Sequence, residues 1–422
     1  MFPISLDQLV VLPISIVAFV ALLSIIVFFH EYGHFSAARW LGVRVDVFSI
    51  GFGKPIARWV DRKGTEWRIA MLPFGGYVKF FGDETPASTP RDDVVADRDS
   101  EANGGRESGG AATTQFPRPG DAPTLTAEER AVCFHYKPVW ARALIVAAGP
   151  IANFVLATAM FWALLASFGA YEVQPIVGEV VEDSAAAEAG FRPGDRILSV
   201  EGRSVAKFDD LQLVTRLAAG DELTFEVRRG EETIVIVATP KRQEIEDPFG
   251  NVAYAGVLGL VADPEKAAPV RYGALRALKE AAVNVWEIVS ATVKFLGRLI
   301  LGKEDSRQLG GPIKMAQYAG QSAVSGFSGE GEATFMDRLQ VSLANFVNLA
   351  AVVSVSIGFL NLLPVPVLDG GHLMYYAIET VTGRPLGATA QAVGFRIGIV
   401  LLASFMLFVT WNDISNLLKF NS

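Results

Sequence analysis

The chain has 422 residues, of which 51% are hydrophobic and only 19% charged, with a mean hydropathy of +0.33 and a net charge of −8. That is too apolar for an ordinary soluble protein of this length, and it reads as a multi-span membrane protein carrying a soluble module. The acidic balance leaves no electrostatic footprint for nucleic acid. A single cysteine, Cys133, excludes an intrachain disulfide, so any exported part must hold by packing alone.

Four stretches are long and apolar enough to cross a hydrocarbon layer of roughly 30 Å: Val10 to Phe29, Ala143 to Phe168, Ala344 to Leu363 and Val393 to Trp411. The first is not read as a cleaved signal peptide, because no Lys or Arg precedes it and no small-residue cleavage site follows. Arg39, Arg44 and Lys54 follow the first stretch and Arg130, Lys137 and Arg142 precede the second, which places residues 40–142 in the cytoplasm. An even number of spans then puts both termini and residues 171–340 outside.

The first span ends in His30-Glu31-Tyr32-Gly33-His34. On a helix, residues four apart share a face, so both imidazoles can reach one metal ion with a carboxylate beside them. A hydrolytic zinc takes three protein ligands and leaves one position for water, which a neighbouring carboxylate can deprotonate. At membrane depth such a group implies hydrolysis within the bilayer or a site that the rest of the protein shields.

Next, Val43, Val45 and Val47 alternate with polar residues, and Trp67, Ile69 and Met71 repeat the period. Gly51-Phe52-Gly53 and Gly75-Gly76 punctuate these strands, so residues 41–84 should form a small membrane-associated sheet beside the motif helix. Its free edge could hold an extended substrate by strand addition; the plainer alternative is a cytoplasmic hairpin. Residues 85–130 are rich in Pro, Gly, Ser, Asp and Arg and read as a disordered cytoplasmic insert. The second span occupies residues 131–170.

Within residues 171–265, Ser184 to Gly202 sets out a short Ala helix, a Gly stop, a Pro-Gly-Asp turn, a strand and a second turn. Strands follow at Leu223 to Arg228 and Thr233 to Ala238. This looks like a PDZ domain of the bacterial protease-associated type. Glu201 stands where Asn or Asp before Gly is more usual, so that turn is expected to differ in type. Residues 266–340 show helical spacing of apolar residues and read as amphipathic surface helices, with a short span at Val283 to Ile300 as the alternative. Gly310-Gly311-Pro312 and Gly320 should break the path to the third span.

The remaining metal ligand must come from another histidine or an acid. Residues 341–372 end in Asn361-Leu-Leu-Pro-Val-Pro-Val-Leu-Asp369-Gly-Gly-His372, which sets an ionisable residue after an apolar span, where it is costly without a partner. Pro364 and Pro366 cannot continue a helix, so an extended stretch is expected. Asp369 is the leading choice, His372 is the second, and a plain helix-capping role for Asp369 is the third. Residues 373–422 supply the fourth span and tail.

Taken together, His30 to His34, Gly51-Phe52-Gly53, Pro73 to Val78, Gly149-Pro150-Ile151-Ala152-Asn153-Phe154, the PDZ-like module and Asn361 to Gly371 resemble the site-2 protease family of intramembrane zinc metalloproteases, most closely its bacterial regulator-of-sigma-E branch. The resemblance implies Zn²⁺ held by His30, His34 and Asp369, with Glu31 activating water. It implies substrate contacts at Asn361, Asn153, Gly51, Phe52, Gly53, Gly75 and Gly76, although Asn153 could equally serve a helix–helix hydrogen bond. It further implies a polytopic α-helical protein of the bacterial inner membrane with a periplasmic PDZ domain. Its substrates would be single-pass proteins, of the anti-sigma factor type after trimming by an upstream site-1 protease, and signal-peptide remnants. Two features depart from the family: one PDZ-sized module instead of a tandem pair, and Ser356 in place of an asparagine five residues before Asn361. The rival reading is a membrane scaffold with a structural metal.

Overall fold

The computed structural model describes residues 6–83, 125–246, 252–263, 266–304, 309–327 and 334–420. The chain divides into two compact units, Met1–Ala157 with Gly311–Ser422, and Thr158–Gly310.

In the first unit, α1 (Leu6–Trp40) is an apolar helix with a series of buried positions four residues apart: Ala18, Leu22, Ile26, His30, His34 and Ala38. The stripe that packs Leu22 and Ile26 thus continues as the two histidines. β1 (Val45–Val60) and β2 (Glu66–Phe80) are long antiparallel strands, each folded back at glycines. Gly51 and Gly53 take φ of 88° and 91°, and Gly75 takes 117°, so both strands bend and each half finds its own partner. The register places Val45–Ile50 between Gly76–Phe80 on one side and Glu66–Ile69 on the other, with Ala57–Val60 outermost. The expected sheet therefore has four short lanes, and Gly76–Phe80 is one edge. Phe48, fully buried, packs the sheet on α1 through the rings of Phe28 and Phe35 at 5.9 and 5.3 Å, with Trp67 of β2 beside it at 4.4 Å.

The expected insert at 85–130 lies largely outside the described residues. Its final part is structured: α2 (Ala127–Val132) begins in a capping box of Thr126 and Glu129, so the insert ends earlier than composition suggests. Asp83 and His135, both buried, pair at 2.7 Å and hold the two ends of that segment together. α3 (Val139–Phe168) contains Pro150 and approaches α1 closely; a Cβ on Gly33 would lie 2.3 Å from the Ala148 carbonyl oxygen.

The second unit begins within α3. β3 (Ala170–Val173), β4 (Val177–Val180), α4 (Ala185–Ala189), β5 (Arg196–Val200), β6 (Arg203–Ser204), α5 (Phe208–Arg216), β7 (Leu223–Arg229) and β8 (Glu232–Ala238) follow in order. Ser184 caps α4 and Gly190, at φ 87°, ends it, as its sequence suggests. A four-stranded sheet runs β6-β5-β7-β8 over a core of Ile197, Val200, Leu211, Phe225 and Val227. Asp195, in the Pro-Gly-Asp turn, is gripped by Arg229 through two bonds of 2.8 and 2.7 Å. Glu201 keeps a left-handed φ of 52° beside Gly202 at 71°, contrary to expectation, and its carboxylate accepts the Thr224 amide at 2.6 Å in partial compensation. β9 (Lys241–Glu246) pairs with β10 (Val252–Val257), β11 (Leu260–Ala262) with β4, and β12 (Ala267–Val270) with β3.

Residues 266–340 are not one set of surface helices. They hold β12, then α6 (Ala274–Ile300) in the second unit, and then α7 (Pro312–Val324) in the first. α6 is a single helix fastened to its unit by Lys207–Glu280 at 3.2 Å and by buried Arg298 with Asp221 and Glu304. Gly320 does not break α7: it lets the helix touch α1, since a Cβ there would meet the Ser15 hydroxyl at 1.8 Å. Asp413 on α10 (Ala388–Phe420) accepts the amides of Gly311, Ile313 and Lys314 and so caps α7 from across the sequence. α8 (Phe335–Asn361) is the third span, and α9 (Asp369–Thr382) follows it. Among the described residues four helices, α1, α3, α8 and α10, are long and apolar enough to cross a membrane.

The expected extended stretch after Asn361 is instead a compact chain of turns. Val365 donates to the Leu363 carbonyl at 2.7 Å and Leu368 to that of Val365 at 3.0 Å, so the prolines interrupt the helix without straightening the chain. Gly370 and Gly371 have backbone carbonyls of Leu363 and Val365 where a Cβ would sit, 2.2 and 2.4 Å away, so the start of α9 packs directly on this loop.

Candidate active site

α1 presents His30 and His34 on one face, and the first residue of α9, Asp369, meets them. The nearest distances are 3.3 Å between the two Nε2 atoms, 3.1 Å from His30 Nε2 to Asp369 Oδ2, and 3.6 Å from His34 Nε2 to Asp369 Oδ1. Tetrahedral zinc with bonds of about 2.0–2.1 Å sets neighbouring ligand atoms roughly 3.3 Å apart, so the three donors fit one such ion. Apart from the His30 Nε2 approach, Asp369 Oδ2 is buried without a polar partner, as befits a ligand atom turned toward a cation. Asp369 does not cap its own helix: the N-cap is Leu368, without a side-chain bond. His372 lines the same cavity, yet among the described residues the convergent donors are His30, His34 and Asp369 alone.

Both imidazoles have a second partner on α3. His34 Nδ1 donates to the Ile145 carbonyl at 2.9 Å, which leaves Nε2 with its lone pair toward the shared point. Pro150, in the same turn of α3, has no amide to give to the Val146 carbonyl, the next one along the helix. Gly149 makes room for the ring, since a Cβ would lie 2.3 Å from His34 Nε2. His30 Nδ1 contacts the side-chain amide of Asn153 at 3.2 Å. Glu31 faces the sheet edge, with Gly76 packed on its stem and the Val78 amide on its carboxylate.

A cavity of about 620 Å³ opens on this cluster, lined among others by Glu31, Phe52, Gly75, Gly76, Asn361 and Val367. Four of the expected substrate contacts therefore share it: Asn361, Phe52, Gly75 and Gly76. Three do not line it. Asn153 is fully buried and bonded to His30; Gly51 is buried in the strand bend and Gly53 faces outward. Sequence reasoning missed Val27, Tyr77 and Phe395, which also line the cavity, because each reads as an ordinary apolar or strand residue. The Ile145 carbonyl carries no side-chain signal at all.

The chain matches Peptidase family M50 over residues 18–405. It is 40% identical to "Metalloprotease MmpA" of Caulobacter vibrioides over 405 residues, 95% of this chain and 96% of that protein. It is also 40% identical to proteins named "Putative zinc metalloprotease" from Agrobacterium fabrum, covering 96% of both chains, and from Rhizobium meliloti, covering 95% and 96%. With four long apolar helices among the described residues and a three-donor cluster that joins His30 and His34 of α1 to Asp369 of α9, this chain belongs to the M50 peptidase family and is a zinc metalloprotease.

Proposed function

We propose that the protein is an intramembrane endopeptidase that cuts the transmembrane segment of single-pass proteins, with His30, His34 and Asp369 holding zinc and Glu31 as general base. The observation that carries this reading is the convergence of three metal donors at the end of an apolar helix, beside a sheet edge and open to one cavity. Three protein donors suit a hydrolytic site; a structural zinc would want four. When bound, zinc supplies a water of near-neutral acidity and polarises the scissile carbonyl. Glu31, adjacent to the donors and within the cavity, takes the proton from the attacking water and delivers it to the departing amine nitrogen.

A helical segment must unwind before it is cut, because its carbonyls are already bonded. Phe80's amide is occupied by Asp83 and Val78's faces Glu31, so the start of this strand, Gly75 to Tyr77, is the part able to pair with a released substrate strand. Asn361, across the cavity, offers an amide donor and acceptor to the same backbone. The module at residues 171–265 acts as a PDZ domain outside the bacterial inner membrane and screens the remnant left by an upstream protease. Anti-sigma factors and signal-peptide remnants are the substrate classes this suits. The excess of Lys and Arg around residues 39–54 and 130–142 supports a cytoplasmic motif end.

The purified full chain, given a single-pass substrate in proteoliposomes, should yield products whose new termini, mapped by mass spectrometry, lie inside the transmembrane segment toward its cytoplasmic half. New termini confined to the soluble parts of the substrate would refute the intramembrane reading.

A further inference from the structure

His30 is fixed from two sides. Its Nε2 faces His34 and Asp369, and its Nδ1 faces the Asn153 amide at 3.2 Å. Nitrogen that holds a metal gives up its lone pair to it, so a neutral imidazole bound through Nε2 carries its proton on Nδ1. That proton needs an acceptor, and the side chain in reach is Asn153. With the amide nitrogen turned to Nδ1, two donors would oppose each other. In that same orientation Asn153 Oδ1 is buried without a hydrogen-bond partner. Oxygen and nitrogen of an amide exchange places by a half-turn about its terminal torsion, with almost no change of shape.

We infer that Asn153 is the positioning residue for His30, its amide oxygen accepting the Nδ1 proton when the site holds zinc. This rests on the reading of His30 as a ligand. It makes α3 the common support of both histidines: the Ile145 carbonyl fixes the tautomer of His34 and Asn153, two turns further on, fixes that of His30. Asn153 is itself held. Its backbone carbonyl accepts the Ser354 hydroxyl at 2.9 Å, and Gly358 lets α8 close on it, with a Cβ there only 3.2 Å from that of Asn153. A side chain fully buried by α1 and α8 in this way has no path to a substrate, and its amide acts through the imidazole it touches.

The test is zinc affinity of the full chain in detergent, measured by competition with a chromophoric chelator. Asn153→Leu keeps the volume but removes the acceptor, and Asn153→Asp keeps an acceptor oxygen at the same place. Loss of such a partner typically weakens metal binding by about 10–100-fold. The leucine variant should show that loss, while the aspartate variant should stay within about threefold of the parent. The absorption band of the cobalt-substituted protein should shift in Asn153→Leu and not in Ser354→Ala, which touches only the backbone contact. Equal loss in the leucine and aspartate variants, or parental affinity in the leucine variant, would overturn the inference. If His30→Ala leaves affinity intact, it is the ligand reading that fails; loss in His30→Ala with none in Asn153→Leu sinks only the role of Asn153.

Discussion

At the scale of single residues, the site depends on space as much as on donors. Gly149 leaves the volume that the His34 ring occupies, and a methyl there would sit 2.3 Å from Nε2. Gly149→Ala should therefore cut bound zinc by at least about tenfold, read by elemental analysis after gel filtration, while helix content by circular dichroism is unchanged. Unaltered zinc content would show that His34 can move aside without cost. The motif itself was legible because histidines four apart must share a helix face, whatever the surroundings. Asp369 was legible only as an acid placed where a charge is expensive. Asn153 was legible only as a residue with a partner, either substrate or another helix, because a lone asparagine in an apolar helix does not say which; the structure sets it, fully buried, 3.2 Å from His30.

At the scale of elements, glycines and a few ion pairs decide where the site-bearing segments lie. Val367, β-branched, is held at φ 108° in the loop before Asp369, a conformation that costs energy and persists only where the surroundings impose it. Gly398 on α10 is part of that frame, since a Cβ would lie 1.7 Å from the Pro366 carbonyl oxygen. Gly398→Leu should displace the loop and abolish proteolysis, with zinc content falling as Asp369 withdraws; retained activity would show that the loop is not held from α10. Phe48→Ala should cost about 3–5 kcal/mol in the sheet's attachment to α1, seen as faster amide exchange in Val45–Ile50.

The turn between β1 and β2 is pH-sensitive in a defined direction. Partial burial works to raise the Asp61 carboxyl, but bonds from the Trp67 indole, the Lys63 and Thr65 amides and Arg39 outweigh it and hold it at about 2. A carboxyl lowered in the folded state stabilises above its ordinary range and loses that contribution as pH falls through the folded value. Exchange protection at Thr65 should thus persist to below pH 4 and fade toward pH 2, and Asp61→Asn should remove the dependence. Spans and strands were visible beforehand, because apolar length and period-two alternation are local properties. The turned loop after Asn361 and the continuous α7 were not, since close packing on Gly370, Gly371 and Gly320 is a tertiary fact that no local pattern contains.

At the scale of the whole molecule, the three proposed zinc donors all belong to one of the two units, so zinc should stabilise that one. A ligand present at a thousand times its dissociation constant adds about 4 kcal/mol to whatever binds it. Thermal proteolysis followed by mass spectrometry should show zinc raising the transition of fragments from residues 6–157 and 311–420 and leaving fragments from 170–270 unmoved. A shared rise would mean that the two units unfold as one. The division itself was partly legible, through the shift from apolar spans to a module with alternating strands and turns. That residues 266–340 are split between the units was not, because both α6 and α7 are amphipathic and helical spacing alone does not say which unit a helix packs on.

Whether Glu31 transfers the proton at a zinc held by its neighbours is decided by Glu31→Gln. In proteoliposomes with a single-pass substrate, this variant should bind zinc as the parent does and release no product, a loss of at least about a thousandfold in rate, given that general base and metal act as a unit. Cleavage within the transmembrane segment by a zinc-loaded Glu31→Gln protein would contradict the account.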